Sequence, residues 1–112
     1  MRVVIASDAE GMPLKNLIKD MLVSDGHEVV DYSEQPAADF VDSATMVAHD
    51  LLEHEDSLGF AFDNYGVGSY MAATRVKGMV AANISDERSA YMTREHNNAR
   101  MVCMGPAVVG TE

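Results

Sequence analysis

Basic residues are scarce in this chain. Eight Lys and Arg stand against 18 Asp and Glu, for a formal net charge of −10. That excludes a nucleic-acid surface, which needs clustered Lys and Arg. It also suits an anionic ligand poorly, so a phosphate pocket would need local cations or another chain. Cysteine occurs once, at Cys103, which excludes an intrachain disulfide and fits a reducing cytoplasm. No apolar run approaches the roughly 20 residues of a membrane helix, so no membrane association is expected. "MRVVIASD" has one Arg and a short apolar run before it turns polar, and reads as a first strand, not a secretory signal. Repeats, low-complexity tracts and linkers are missing. The 112 residues, 47% of them hydrophobic, suit one small domain spanning 1–112.

What is present is alternation. "RVVIASD" (2–8) is a β-branched run of the kind buried on both faces of a sheet. A helix is expected over 11–26, with Leu14, Leu17, Ile18, Met21 and Leu22 at helical spacing and Gly26 as its stop. Strand 27–32 follows, then a polar loop (33–39) and a helix over 40–56 with Val41, Ala44, Val47, Ala48 and Leu51 on one face. Next come a strand (57–63), a helix (66–76), a strand (78–84), a helix (85–96) capped by Ser85, and a strand (99–105). This spacing predicts right-handed crossovers and a parallel sheet covered on both faces. In flavodoxin-like order the ligand crevice lies between strands one and three, which end at Asp8 and Asp63. After strand five, "GPAVVGTE" offers no further helix. One face of that strand is then expected to need a partner, or the chain to be truncated.

Several motifs are incomplete. Gly66 and Gly68 form G-x-G at a strand-to-helix turn, but the later glycine of the dinucleotide fingerprint is absent, as is a Gly-Lys-Ser/Thr run. Two readings remain open: tight strand–helix packing, or a helix N-terminus with N–H donors for a small oxyanion. A phosphate-accepting receiver would need a second acid at position 9, which is Ala, and a Lys where Gly105 stands. His49 and His54 do not share a helix face, so no metal site is expected there, and His27 reads as a surface residue. His96, in "REHNN", sits where a helix ends. A cation complementing the helix dipole and an exposed proton shuttle are equal readings of it.

Nearly the whole chain resembles the family of ribose-5-phosphate isomerase B and galactose-6-phosphate isomerase. The likeness is carried by "ASDAEGMPLKNLIKD" (6–20), "FVDSAT" (40–45), "YGVGSYMAATRVKGMVAA" (65–82) and "SDERSAYMTREHNNARMVCMG" (85–105). It implies a Rossmann-like three-layer α/β/α sandwich with a five-stranded parallel sheet, the last helix missing. It implies aldose–ketose isomerisation of a sugar phosphate through a cis-enediolate, with galactose 6-phosphate converted to tagatose 6-phosphate in lactose and galactose catabolism. No cofactor and no metal are implied. In the family a Cys-Gly-Thr-Gly-x-Gly loop carries the base. Here Asp63 stands at the Cys, Asn64 at the following Gly and Tyr65 at the Thr, while Gly66 and Gly68 are kept. The family's Asp-His pair becomes Asp8-Ala9, and the Asn of its Ala-Ala-Asn-Lys becomes Thr74. Its His-Asn pair survives as His96-Asn97, the ring-opening histidine reaching into a neighbouring subunit's site. The resemblance thus assigns His96 to catalysis, and Asn97, Asp8, Gly66 and Gly68 to substrate contacts. Asp63 is a degenerate base position whose charge would repel an enediolate. The galactose-6-phosphate branch is a hetero-oligomer, whose B subunit carries the intact cysteine loop and would be this chain's partner. Arginines that hold the phosphate in the family lie beyond Glu112. Two alternatives stay open: a non-catalytic structural subunit, and a small anion-binding regulatory module of flavodoxin-like fold.

Overall fold

A computed structural model describes residues 2–54, 56–63, 65–83 and 100–105. The expected helix over 85–96, with His96 and Asn97, lies outside the described residues, as does the end of the chain from 106. Five parallel strands form one sheet: β1 (Arg2–Ser7), β2 (Glu28–Asp31), β3 (Ser57–Phe62), β4 (Ala81–Asn83) and β5 (Met101–Met104). Helices α1 (Met12–Ser24), α2 (Phe40–Glu53) and α3 (Val67–Thr74) join the first four strands. The strand order is β2-β1-β3-β5-β4. The expected reversal between β1 and β3 is present. The flavodoxin-like order fails after that, because β4 passes over one position to the edge and β5 returns to fill it.

Two cores sandwich the sheet. Val4, Ala6, Ala61, Met101 and Cys103 face α2 and α3, where they meet Ala44, Val47, Ala48, Leu51, Ala72 and Ala73. Val3, Ile5 and Phe62 face α1, against Leu14 and the half-buried Leu17, Ile18 and Leu22. Residues of β1 thus alternate between two apolar layers, which explains why its sequence is continuously apolar. Burying a side chain such as Ile5 or Leu51 contributes about 1.5–3 kcal/mol each. Two expected core residues are outside: Val41 is 48% exposed and Met21 54%. Val41 sits in the first turn of α2 and lines a surface cavity with Phe40 and Met71. His27, expected at the surface, is half-buried, and its N–H closes the end of α1 on Leu22 C=O at 3.1 Å.

Local chemistry sets the helix ends. Asp39 caps α2 by accepting the Asp42 N–H at 2.8 Å. Gly26, at φ 87°, supplies the left-handed turn after α1. β4 starts later than expected, because Gly78 at φ 90° still belongs to the turn leaving α3.

Two buried aspartates tie the layers together. Asp50 of α2 accepts both Nη atoms of Arg2 at 2.6 and 3.2 Å and the Tyr32 hydroxyl. Asp31 accepts Lys15 Nζ at 2.7 Å and Lys19 Nζ at 3.0 Å. Lys15 is fully buried and also donates to Ser33 C=O at 2.8 Å. Burial would raise Asp31, but Lys15, the Ser33 N–H and Lys19 outweigh it and hold its carboxyl below the usual range. Ser33 Oγ then accepts the Ser7 N–H at 3.0 Å, which fixes the carboxyl end of β1.

Candidate functional site

Register places the site. Ser7 of β1 pairs with Phe62 of β3, so the next residues, Asp8 and Asp63, emerge side by side at the carboxyl end of the sheet. The Asp8 N–H donates to Phe62 C=O at 3.3 Å, and the Asp63 N–H to Met104 C=O at 3.1 Å. The two aspartates then differ. Asp8 is half-buried, and its Oδ1 accepts the Gly11 N–H at 3.0 Å, starting the turn into α1. Asp63 is 6% exposed and turns inward over α3. Its Oδ1 accepts the Gly66 N–H, and its Oδ2 accepts the Ser69 N–H at 3.3 Å.

The loop needs its glycines. Gly66 has φ 86°, a left-handed conformation costly to a side chain. A Cβ on Gly68 would lie 2.8 Å from Asp63 Oδ2 and 2.9 Å from the Phe40 ring. The packing reading of G-x-G therefore holds at Gly68. Gly66 does offer a donor at a helix start, but Asp63 takes it. The Ser69 hydroxyl is the one buried side-chain polar atom without a partner among the described residues.

A pocket of about 340 Å³ opens above this loop, lined by Asp8, Glu10, Phe40, Asp63, Tyr65, Val67 and Gly68. Three of these are acids and none is Lys or Arg. Burial raises the Asp63 carboxyl above the usual range; the Gly66 and Ser69 N–H groups oppose this, and the charges of Asp8 and Glu10 add to it. Tyr65, 58% exposed, stands at the mouth. A mostly apolar cavity of about 460 Å³ adjoins it, sharing Phe40 and Gly68 and adding Val41, Met71, Val76 and the cation Arg75. Cys103 cannot act as a base: it is fully buried in β5, and burial pushes its thiol up to about 12.

At the opposite end of α2, His49 and His54 line a separate hollow with Arg2, Tyr32 and Asp50. His54 Nδ1 lies 3.0 Å from Asp50 C=O and 3.2 Å from Asp50 Oδ1. Among the described residues, no three His, Cys, Asp or Glu side chains are grouped to hold a metal ion. No helix among them is long and apolar enough to cross a membrane. The structure thus brings Asp8, Asp63, Gly66 and Gly68 together. Sequence reasoning missed that Asp63 holds the loop's own donors. The signal was there in the spacing: an aspartate three residues before a glycine N–H at a helix start is a capping arrangement. It also missed Glu10 and Phe40 as lining residues, since both belong to elements remote from the loop in sequence.

Comparison with known proteins gives a consistent picture. A family model described as Ribose/Galactose Isomerase matches residues 3–112. A Streptococcus mutans protein, galactose-6-phosphate isomerase subunit LacA, is 53% identical over 112 residues, covering all of this chain and 79% of that one. An Enterococcus faecalis protein of the same name is 51% identical with the same coverage. Among solved structures, ribose-5-phosphate isomerase B of Clostridium thermocellum superposes with a TM-score of 0.93 at 35% identity, covering 99% of this chain and 76% of that one. That of Mycoplasma genitalium with bound ribulose-5-phosphate gives 0.91 at 35% identity, covering 98% and 75%.

Proposed function

This chain belongs to the ribose/galactose isomerase family, and from that premise we propose that it is one subunit of a hetero-oligomeric galactose-6-phosphate isomerase. The reaction is aldose to ketose, galactose 6-phosphate to tagatose 6-phosphate, by proton transfer through a cis-enediolate. The identity over the full chain to proteins named as that enzyme's LacA subunit supports the substrate class. The single observation that carries the subunit reading is Asp63. It stands where the family has its cysteine base, and it is buried on its own loop. Cys103 offers no replacement thiolate, since it is buried with its thiol raised to about 12.

The working site therefore takes its base from a B-type partner. This chain contributes His96 as the ring-opening acid–base residue and Asn97 as a substrate hydrogen-bond partner. Asp8, Gly66 and Gly68 mark the counterpart of the substrate pocket on this side. There, among the described residues, an incoming phosphate would meet Asp8, Glu10 and Asp63 and no cation, so the reading takes the phosphate's cations from elsewhere in the assembly. Exposed Phe40, Tyr65 and Val67 line it and exposed Val41 and Met71 line the adjoining cavity, which supports a reading in which another chain covers them. A charged sugar phosphate and an unpaired thiol suit the cytoplasm.

The test is an isomerase assay with galactose 6-phosphate on this chain alone, the B subunit alone, and both together. Turnover is expected only from the mixture. Robust turnover by this chain alone would overturn the shared-site reading.

A further inference from the structure

Lys15 is the largest fully buried side chain among the described residues. An ammonium in such a place costs more to bury than a methionine of similar size unless its donors find partners. Its partners are Asp31 Oδ2 at 2.7 Å and Ser33 C=O at 2.8 Å. Ser33 is held at every polar atom. Its N–H donates to Asp31 Oδ1 at 2.8 Å, its C=O accepts Lys15, and its Oγ accepts the Ser7 N–H at 3.0 Å. Four residues on, the Ala37 N–H donates to Ser7 C=O at 2.9 Å. Both backbone groups of Ser7 are thus held by the 33–39 loop, and the next residue is Asp8. The loop has little packing of its own: Ser33 is its one buried residue, Ala37 is half-buried, and the other five are exposed. Its place on the sheet therefore rests on these polar anchors. It runs into Phe40, which lines both the acidic pocket and the adjoining cavity.

We propose that Lys15 is a positioning residue: through Ser33 it clasps the β2–α2 loop to the carboxyl end of β1, and so sets the places of Asp8 and Phe40 on the face that the partner chain covers. Lys15 does not line the pocket. It acts through Ser33 and Ser7, which explains why a charge is kept at a helix position surrounded by Leu14, Leu17 and Ile18. The clasp is a property of the chain alone, whereas its bearing on the partner rests on the shared-site reading above.

Lys15→Met keeps the volume and removes the ammonium, but it leaves Asp31 with Lys19 as its one cation. The double variant Lys15→Met/Asp31→Asn is therefore made beside it: the buried carboxylate is gone, and the amide oxygen still accepts the Ser33 N–H. Amide exchange is measured on the chain alone at pH 7. Ser7 and Ala37 are expected to exchange about 10- to 100-fold faster in both variants, the effect of losing a hydrogen bond to a charged group. Gly59 and Asp63, whose N–H groups bond to Arg100 and Met104 C=O in the same sheet, should keep their rates. Where the single variant loosens everywhere, the double variant decides. Wild-type rates at Ser7 and Ala37, or an equal acceleration at Gly59 and Asp63 in the double variant, would overturn the clasp. Titration with the B subunit in the galactose 6-phosphate assay then reads the interface. The B-subunit concentration giving half-maximal turnover is expected to rise severalfold, with turnover at saturation unchanged, because the clasp supplies no reacting group. A fall in saturating turnover at unchanged half-saturation would overturn the positioning role. A wild-type mixture without turnover would instead overturn the shared-site reading, and the exchange rates alone would then judge Lys15.

Discussion

Asp63 and Asp50 are buried to a similar degree, 6% and 7% exposed, and what faces each one sets its response to pH. Asp50 has Arg2 as its first partner, and despite some desolvation its carboxyl is held below the usual range by Arg2 and Tyr32. Its folded value is depressed, so its stabilisation is present above about 3.9, the ordinary aspartate value, and is lost as pH falls through the folded value. Asp50→Asn should cost about 1–3 kcal/mol at pH 7, since Arg2 keeps only a weakened partner; urea unfolding of the variant checks this. Among the described residues no cation faces Asp63, and its folded value is raised by burial. The sign reverses: ionised Asp63 destabilises the fold above its folded value, and that cost fades as pH falls toward about 3.9. Asp63→Asn keeps an acceptor for Gly66 without the charge. Relative to wild type it should therefore be more favourable at pH 7 than at pH 4, as urea midpoints at the two values would show. A constant difference between them would contradict a raised Asp63. His96 belongs to the same scale. In the assembly with its B subunit, His96→Ala should lower turnover of the cyclic sugar by about 10²–10⁴-fold, the usual contribution of a general acid–base group. Unchanged turnover would favour a purely structural subunit.

The strand–loop–helix unit of β3 and α3 shows how closely one element is fitted to another. Gly68→Ala would push a methyl to within 2.8 Å of Asp63 Oδ2 and 2.9 Å of the Phe40 ring. The ring tip can swing, but the carboxylate is fixed by two N–H groups. The substitution should destabilise by about 1–3 kcal/mol, as overpacking does, and should loosen Asp63 from Ser69; amide exchange at Ser69 reports this directly. Elements of this kind were legible in the sequence wherever the deciding interactions are local. The continuous apolar run of β1 and the Gly26 stop of α1 are both read from neighbours in the chain. The positions of Asp8 and Asp63 at adjoining strand ends followed from the first reversal of the sheet. Val41 was misread because helical spacing gives a face but not how far along the helix that face is covered. The exchange of β4 and β5 was illegible for a related reason: strand order depends on pairing between distant segments, which periodicity does not encode.

Over the whole molecule the excess of acid dominates. A formal charge of −10 on 112 residues repels itself. Raising salt from about 0.01 to 0.15 M shortens the screening length from ~30 to ~8 Å, so the thermal midpoint of the isolated chain should rise over that range. A midpoint that fell instead would mean that the Arg2–Asp50 and Lys15–Asp31 pairs outweigh the general repulsion. The same charge disfavours two copies of this chain meeting face to face across their acidic pockets, and a less acidic partner removes that obstacle.

The placement of β5 between β3 and β4 also sets a sequence of events during synthesis. β1, β2 and β3 can pair as soon as residues up to Phe62 have emerged, because each has its neighbour within that stretch. β4 emerges next, but among the described residues its partner in the sheet is β5, which is made later still. On the ribosome, Ala81–Asn83 must wait with its edge open until Met101–Met104 arrives and slots in beside β3. Closing that long connection makes the step slow relative to local pairing. The nascent chain therefore passes through a stage with an N-terminal half-sheet and an unpaired strand. That open strand edge is what exposes the chain to aggregation at this stage.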